Sequence, residues 1–383
     1  MRKTSLWMIA AVMSCGIALF TMTSCGDDEI RPTQNERNIN DDAQPASDDQ
    51  EDDEEQGDTP QWPENIDYSQ WMSYLSASRL VADLSLPGAH DAATAEGWGV
   101  PDVMKPFADM MAVCQDLTLQ QQMEKGVRVF DLRPERVQIG ESYELRCAHG
   151  PMYTKLLVID FFRKLKTYLA QKPTEFFIVT MQLSATSDKT AWAQEFNTLI
   201  HNVEFNGLFA GYKPRLTVGE LRGHVLLLSQ EKYADQPVGA FCEGWTSALA
   251  LETQKQGKLK GADSEGPLWV QDYWENITRE NKDAALVRML EAAAARDMKA
   301  EKPAWVINFP SAYIDGALSD NYRKNAESAN ALAIKWLNEH KGSVGIIYMD
   351  FAGVDKSTSY DKTKEYDVVG MKMVDSVIRQ NAK

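Results

Sequence analysis

The chain has 383 residues, 44% of them hydrophobic, and a formal net charge of −16. Its length allows one large domain or two ordinary ones, and nothing in its charge indicates the basic surface that a nucleic-acid-binding protein needs. Fourteen acidic residues and two arginines lie between positions 26 and 60, so this segment carries most of the excess negative charge.

The N-terminus has the pattern of a bacterial lipoprotein export signal. Arg2 and Lys3 precede the apolar run LWMIAAVMSCGIALF, and the motif MTSC ends at Cys25. We therefore predict a signal peptide over residues 1–24, cleavage before Cys25 and attachment of lipid to that cysteine. VMSC, which ends at Cys15, is a rival motif that leaves a short apolar region upstream. The alternative is an uncleaved transmembrane anchor, but no cluster of positive charges follows the apolar run to stop transfer.

Residues 25–62 are predicted to form a disordered acidic tether. The segment is rich in Asp, Glu, Gln, Asn and Pro and lacks the apolar residues needed for a core. Acidic residues directly after a lipidated cysteine also resemble the surface-export signals of Bacteroidetes lipoproteins. We expect an outer-membrane lipoprotein of the bacterial cell envelope, with surface exposure as a further hypothesis. The remaining cysteines, Cys114, Cys147 and Cys242, have no close spacing and predict neither a disulfide framework nor a zinc site.

From residue 63 to residue 383, short apolar strands alternate with helices. Strands are predicted at 81–86, 127–132, 176–183, 224–229, 268–273, 304–309 and 344–351, and helices at 117–126, 156–172, 217–220, 283–298, 328–340 and 368–380. This alternation indicates a parallel sheet covered on both faces. About eight strands in about 300 residues predict a single irregular (βα)8 barrel rather than two domains. A doubly wound open sheet is the alternative, but the chain has no glycine-rich phosphate loop.

Polar residues stand where the predicted strands end, which is where barrel enzymes place their active sites. The first strand is followed by a Pro87-Gly88 turn and then by His90 and Asp91, and the second ends at Asp131 and Arg133. Further candidates at or near strand ends are His149, Gln182, Gln230, Asp272 and Asp350. Two histidines can divide acid and base roles, and a carboxylate can orient each ring. Because arginine suits a phosphate that gains negative charge, the set indicates attack on a phosphodiester without a metal.

Each of these residues also has a structural interpretation. A histidine beside a turn can simply be hydrogen-bonded, Asp91 can cap a turn or helix, and Asp131 with Arg133 can form a buried ion pair. The other three histidines are predicted to be structural, because two lie on helices and one opens a strand: His201, His340 and His224. Three polar sites at three strand ends nevertheless favour a functional cluster.

The order and spacing of eight motifs resemble the bacterial phosphatidylinositol-specific phospholipases C, from about residue 68 to the C-terminus. The motifs are LSLPGAHDAAT, MEKGVRVFDLRPE, CAHGPMY, KPTEFFIVTMQ, LRGHVLLLS, LWVQDYWEN, WVINFPS and GIIYMDF. The resemblance implies an irregular (βα)8 barrel and cleavage of an inositol phospholipid to diacylglycerol and inositol 1,2-cyclic phosphate.

The resemblance also implies a role for each catalytic candidate. His90 would deprotonate the inositol 2-hydroxyl, oriented by Asp350, and His149 would protonate the departing diacylglycerol oxygen, paired with Asp91. Arg133 would contact the phosphate. Calcium-dependent relatives have a carboxylate where Arg133 stands, so the resemblance implies an enzyme without a metal or other cofactor.

The substrate-binding positions depart from the family. Asp272 matches a carboxylate that binds ring hydroxyls, and Trp274 stands where the family has a stacking tyrosine. Gln182 replaces a lysine and Gln230 an arginine, so two cationic contacts are neutral amides here. The headgroup therefore stays open between plain phosphatidylinositol, a glycosylated or ceramide-based inositol lipid, a glycolipid anchor and another phosphodiester.

Two other functions compete with this interpretation. One is a catalytically silent lipoprotein that binds lipid or sugar phosphate on the same barrel, and the other is a metal-dependent glycerophosphodiester hydrolase. The paired acid and base disfavour the first, and Arg133 disfavours the second. We expect a monomer that works on phospholipid at a membrane surface. The apolar segment MKPFADMMAV (104–113) is either a membrane contact or an ordinary core helix.

Overall fold

The computed structural model describes residues 62–274, 277–314 and 319–383. The predicted signal peptide, Cys25 and the acidic tether up to residue 61 lie outside these residues. In the described part of the chain, no helix combines the length and the apolar character needed to cross a membrane.

Fifteen strands occur in the described residues. In chain order they are β1 (Ser85–Ala89), β2 (Val129–Leu132), β3 (Pro134–Ile139), β4 (Ser142–His149), β5 (Met152–Leu157), β6 (Phe177–Met181), β7 (Phe209–Ala210), β8 (Val225–Ser229), β9 (Ala240–Glu243), β10 (Gly257–Lys260), β11 (Glu265–Gln271), β12 (Trp305–Asn308), β13 (Gly345–Met349), β14 (Ser357–Thr358) and β15 (Glu365–Tyr366).

Nine of these strands close into a barrel in the order β1, β13, β12, β11, β10, β9, β8, β6, β2. Neighbours run parallel, except that β10 is antiparallel to both β9 and β11. The pairing of β6 with β8 closes the ring, so the open-sheet alternative is wrong. The predicted irregular barrel is confirmed, with eight parallel strands whose carboxyl ends share one rim. That rim is called the carboxyl rim below.

Nine α-helices lie in the described residues. They are α1 (Lys105–Met111), α2 (Leu119–Glu124), α3 (Val158–Gln171), α4 (Lys189–Ile200), α5 (Val218–Leu221), α6 (Leu251–Gln254), α7 (Arg279–Ala294), α8 (Asn321–Glu339) and α9 (Gly370–Arg379). The predicted capping box is present at α5, where Thr217 and Glu220 satisfy each other's backbone N–H groups.

The barrel wall is apolar because its strands are covered on both faces. Every residue of β1, β6, β8 and β13 is buried, as expected for parallel strands between a core and a layer of helices. Helix α3 is amphipathic, and its apolar side, which includes Phe161, Phe162 and Leu165, is buried.

The first strand differs from the prediction. Val81–Asp83 form a short 3-10 helix, and β1 continues through Pro87 and Gly88 instead of ending at them. Gly88 is needed there because a β-carbon would lie 2.8 Å from Cδ1 of Tyr348 on β13. The Pro-Gly pair therefore reflects close packing between two barrel strands, and the chain turns only after β1, at His90.

Several elements have no counterpart in the prediction. The short strands β9 and β10 have only four residues each, and β10 reads GKLK, which gives little apolar signal. Strands β3, β4 and β5 form a separate antiparallel sheet after β2. This sheet matters for the site because β4 ends at His149.

Candidate active site

A cavity of about 450 Å³ opens at the carboxyl rim. Asp350 lies behind His90 and is almost fully buried. Gln230 follows β8, where its backbone N–H donates to the carbonyl of Met181, and it is not among the described residues that line the cavity. The structure thus brings most of the predicted set together around one cavity, whose lining includes His90, Asp91, Arg133, His149, Gln182, Asp272 and Trp274.

His90 directly follows β1, which places its ring on the rim. Its Nδ1 lies 2.8 Å from Oδ1 of Asp350 and 2.9 Å from Oγ of Ser311. A carboxylate oxygen only accepts, so Nδ1 carries a proton and donates to Asp350. Nε2 faces the opposite way, 3.3 Å from Oδ2 of Asp91. This geometry matches the predicted pairing of His90 with Asp350 and leaves Nε2 as the atom that can accept a proton.

The carboxylates around His90 decide its protonation in the free protein. Burial disfavours the charged ring, but the charges of Asp91 and Asp350 outweigh it and raise the pKa of His90 to about 9.

We expect the ring of His90 to be cationic at neutral pH. Its contribution to the stability of the fold should be fully present below about pH 6.5 and be lost as pH rises through about 9. Proton NMR of the histidine rings, assigned with a His90→Ala variant, measures this, and a transition near pH 6.5 would contradict it.

Asp91 occupies the centre of the site in an unusual backbone conformation. Its φ is 42°, in the left-handed region that residues other than glycine rarely adopt. Its carboxylate lies 3.3 Å from Nε2 of His90, 3.6 Å from Nε2 of His149 and 3.3 Å from Nε of Arg133. Neither oxygen has a hydrogen-bond partner among the described residues. The resemblance implies a pairing with His149, whereas the structure places Asp91 between both histidines.

Arg133 supplies a fixed positive charge beside two buried carboxylates. Its Nη2 lies 2.9 Å from Oδ2 of Asp131. With its amide oxygen turned inward, Gln182 accepts hydrogen bonds from the same guanidinium at 2.8 and 3.2 Å. Burial alone would raise the pKa of Asp91, but the charges of Arg133 and the two histidines lower it. The contact between Arg133 and Asp131 confirms the ion pair that the structural interpretation of these two residues predicts. Because Arg133 also lines the cavity, this ion pair belongs to the site.

His149 reaches the rim from outside the barrel, at the end of β4. Gly150 follows it with a φ of 54° in the turn to β5. Nδ1 of His149 donates to the carbonyl of Ala112 at 2.9 Å, because a carbonyl only accepts. Nε2 therefore points toward the cavity, where it lies 3.2 Å from the hydroxyl of Tyr322. The ring centroids of His90 and His149 are 6.2 Å apart, so the two rings can act on different atoms of one reacting group.

Asp272 and Trp274 follow β11 and form another wall of the cavity. Trp245 Nε1 donates to Oδ2 of Asp272 at 2.8 Å. Burial raises the pKa of Asp272 to about 6, against the hydrogen bond from Trp245 and the charge of Lys282. Trp274 is 52% exposed, which leaves a ring face for stacking. The buried Lys282 donates to the carbonyl of Tyr273 at 2.9 Å and so fixes this loop.

Two residues that contact the histidines, Ser311 and Tyr322, are absent from the predicted set. Ser311 stands three residues after β12, so the strand-end argument that selects the other residues also applies to it. Tyr322 lies in the first turn of α8, where no strand end marks it. The predicted helix begins only at residue 328, whereas α8 begins at Asn321, so the prediction leaves Tyr322 outside the helix that brings it to the cavity.

Possible metal ligands within the described residues overlap the candidate acid–base residues. The guanidinium of Arg133 pairs with both Asp91 and Asp131, so a divalent cation at these carboxylates would face a fixed positive charge. Calcium also prefers six to eight oxygen ligands, whereas each of the clusters below offers at most two carboxylates beside histidine or cysteine. The groups that come within 4.8 Å are His90, Cys114 and Asp350; Asp91, Cys114 and His149; and His90, Asp91 and Asp131.

The other histidines do not line the cavity. The Nδ1 atoms of His201, His224 and His340 each lie 2.8 Å from a backbone carbonyl oxygen nearby in sequence. His340 also stacks on Trp336 with ring centroids 4.3 Å apart. These contacts agree with the structural roles predicted for all three.

No family model matches the chain. Among curated proteins, it is 25% identical over 303 residues to a 1-phosphatidylinositol phosphodiesterase of Staphylococcus aureus, covering 76% of this chain and 89% of that one. A protein of the same name from Listeria monocytogenes is 24% identical over 298 residues, which cover 75% of this chain and 82% of that one. Among solved structures, a variant of the phosphatidylinositol-specific phospholipase C of S. aureus matches with a TM-score of 0.64 at 23% identity, over 81% of this chain and 96% of that chain. Over about three quarters of its length the chain is therefore similar to bacterial phosphatidylinositol-specific phospholipases C, and it shares their fold.

Proposed function

We propose that the protein is a phosphatidylinositol-specific phospholipase C that cleaves an inositol phospholipid to diacylglycerol and inositol 1,2-cyclic phosphate. One observation carries the proposal: two histidines, each oriented through Nδ1 by its own acceptor, direct Nε2 toward a cavity that also holds Arg133. A protein that only binds a phosphorylated ligand has no need of an oriented acid and an oriented base.

The geometry supports the following sequence of bond changes. In its neutral form, Nε2 of His90 takes the proton of the inositol 2-hydroxyl, whose oxygen then attacks phosphorus. The bond between phosphorus and the glycerol oxygen breaks, and Nε2 of His149 donates a proton to that oxygen. Arg133 stabilises the negative charge that grows on the phosphate oxygens. Asp350 and Asp91 stabilise the cationic forms of the two rings.

Phosphorus NMR tests the proposal directly. The purified full-length chain is incubated with phosphatidylinositol in mixed detergent micelles, and the signal of a five-membered cyclic phosphodiester is expected to appear. A linear inositol phosphate as the first product would contradict the cyclisation mechanism. No reaction with phosphatidylinositol, with a glycosylated or ceramide-based inositol lipid or with a glycolipid anchor would favour a silent binding protein instead.

The headgroup that the cavity prefers is part of the proposal. Asp272 and Trp274 would bind and stack on the inositol ring, whereas Gln182 is held by Arg133 and Gln230 does not line the cavity. Among the described residues that line the cavity, Arg133 is the one arginine and there is no lysine. We therefore propose a headgroup whose ring hydroxyls are free. Competition assays with inositol and inositol 4-phosphate test this, and tighter binding of the phosphorylated sugar would contradict it.

We predict that activity does not need a metal ion. The guanidinium of Arg133 supplies the positive charge that calcium supplies in other phosphodiesterases, so excess chelator is expected to leave kcat unchanged within about twofold. The measurement is the rate of diacylglycerol release with and without chelator. Loss of activity that added calcium restores would refute the prediction.

We further propose that Cys25 carries lipid and tethers the barrel to the outer membrane of the cell envelope. We also propose that the protein works as a monomer. Metabolic labelling with a fatty acid, compared between the wild type and Cys25→Ala, tests the attachment site. Label retained in the variant would contradict attachment at Cys25 and favour Cys15. Sedimentation equilibrium of the purified protein tests the monomer.

Membrane contact is proposed at the segment 104–113 together with Val103. The segment combines features of a core helix and of a membrane contact, since Ala108 and Ala112 are buried while Phe107 is 37% exposed. Val103, directly before the segment, is 84% exposed. We expect Val103→Asp with Phe107→Asp to weaken binding to phospholipid vesicles, because a charge opposes insertion of apolar side chains. Val203→Asp is the matched control, since Val203 is also exposed, at 78%, on a short helix elsewhere. Equal vesicle binding by all variants would rule this surface out.

A further inference from the structure

Tyr322 lies between the two histidines of the site. It belongs to the first turn of α8, and its ring centroid is 5.5 Å from that of His149 and 5.7 Å from that of His90. Its hydroxyl oxygen lies 3.2 Å from Nε2 of His149. That nitrogen is the atom from which the proton would leave in the proposed reaction, so Tyr322 touches the general acid at its working atom.

The hydrogen bond of Nδ1 of His149 determines which hydrogen bonds Nε2 can form with Tyr322. Nδ1 donates to the carbonyl of Ala112 and keeps its proton in both charge states of the ring. When His149 is neutral, Nε2 has a lone pair and needs a donor. Asp91, 3.6 Å from Nε2, is an ionised carboxylate and can only accept. Of the two groups, only Tyr322 can satisfy the neutral ring.

Tyr322 keeps its own proton throughout. Burial raises the pKa of its hydroxyl well above the ordinary value, and the negative charges of Asp91 and Asp350 act in the same direction. A hydroxyl both donates and accepts. It can therefore accept a hydrogen bond from Nε2–H of the cationic ring and donate one to the bare Nε2 of the neutral ring, which no carboxylate can do.

We propose that Tyr322 is a positioning residue for the general acid. In the free enzyme its oxygen accepts from Nε2–H of His149 and keeps that atom facing the cavity, and after the proton has moved to the glycerol oxygen its hydroxyl stabilises the neutral ring. In this step the bond between phosphorus and the glycerol oxygen breaks, the proton moves from Nε2 of His149 to that oxygen, and Tyr322 neither gains nor loses a proton. The inference rests on the proposed phospholipase C reaction.

The test uses two substrates that differ in their leaving group. Phosphatidylinositol releases a lipid alkoxide, which needs a proton, whereas inositol 4-nitrophenyl phosphate releases a phenolate that departs without one. We expect Tyr322→Phe to lower kcat about tenfold with phosphatidylinositol, the size of effect that loss of one hydrogen bond produces. With the nitrophenyl substrate kcat should change by less than about twofold, and KM should stay within about twofold for both.

The control is Tyr360→Phe, which removes a phenolic hydroxyl from a residue that does not line the cavity. Equal melting temperatures of both variants and the wild type show that folding is not the cause of a change. An equal loss with both substrates, or no loss with phosphatidylinositol, would overturn the role of Tyr322 and leave the proposed function intact. Failure of the wild type to cleave either substrate would overturn the proposed function, and this inference with it.

Discussion

Replacing His90 with alanine lowers kcat by about three orders of magnitude, because general base catalysis by a positioned side chain contributes about 10² to 10⁴ in rate. The ring is the group whose Nε2 faces the cavity while Asp350 holds Nδ1. Without it, the carboxylate of Asp91 still lines the cavity, but the charge of Arg133 keeps the pKa of Asp91 low against the effect of its burial. A carboxylate with a low pKa is a weak base and does not replace the imidazole.

The assay measures kcat and KM with phosphatidylinositol and with the nitrophenyl substrate. Both substrates need the 2-hydroxyl to be deprotonated, so His90→Ala should slow both to a similar extent. His149→Leu should abolish release of the lipid alcohol and spare much of the reaction with the nitrophenyl substrate, which needs no general acid. His201→Ala, on an exposed histidine outside the cavity, is the matched control. Wild-type rates in the His149→Leu variant with phosphatidylinositol would remove the acid role.

The dependence on pH adds a second test of the same assignment. In the free protein the pKa of His90 is raised to about 9, and only the neutral ring can accept a proton. kcat/KM reports the free enzyme. With the nitrophenyl substrate, which needs no general acid, it should therefore rise between about pH 7 and pH 9 as His90 loses its proton. In the Asp350→Asn variant one of the charges that raise this pKa is gone, so the rise should move to lower pH. A profile that does not move would contradict the pairing of Asp350 with His90.

The sequence predicts the barrel and the acid–base residues because both depend on local patterns. An apolar strand of five residues is visible in VLLLS or GIIYM, and a polar residue after such a strand must lie on the carboxyl rim. His90, Arg133 and Asp350 follow from that rule alone. Their grouping in space then needs only that the strands run parallel and close into a ring.

The remaining features depend on packing between distant segments, which no local pattern reveals. Gly88 looks like part of a turn, yet its role is to admit Tyr348 from the other end of the chain. Asp91 is predicted to pair with one histidine, and its left-handed backbone places it between two. Tyr322 lies 173 residues from His149 in sequence and reaches it only because α8 begins beside the rim.

Replacing Arg133 with methionine lowers kcat by about 10² to 10³, the range found when one group that stabilises transition-state charge is removed. The change also destabilises the fold by about 3 kcal/mol, because removing one partner of a buried ion pair leaves uncompensated charge. Two carboxylates, Asp91 and Asp131, lose their common counterion. Arg133→Lys keeps the charge but not the planar fork of donors, so it should retain more stability than activity.

The loss of stability should depend on pH in a defined direction. In the wild type the pKa of Asp91 is lowered, so its ionised form contributes stability that is present above about pH 4 and is lost as pH falls through its folded pKa. In Arg133→Met the largest of the charges that lower this pKa is gone, so burial should raise the pKa of the same carboxyl and reduce this contribution. Urea unfolding should therefore show the largest difference between variant and wild type near pH 7 and a smaller one near pH 4. Arg163→Met, on a half-exposed arginine paired with Asp160 and Glu204, is the control and should leave stability nearly unchanged at both pH values, because water screens an exposed ion pair. A difference between Arg133→Met and the wild type that stays constant with pH would show that Arg133 supports the fold by packing and not by neutralising these carboxylates.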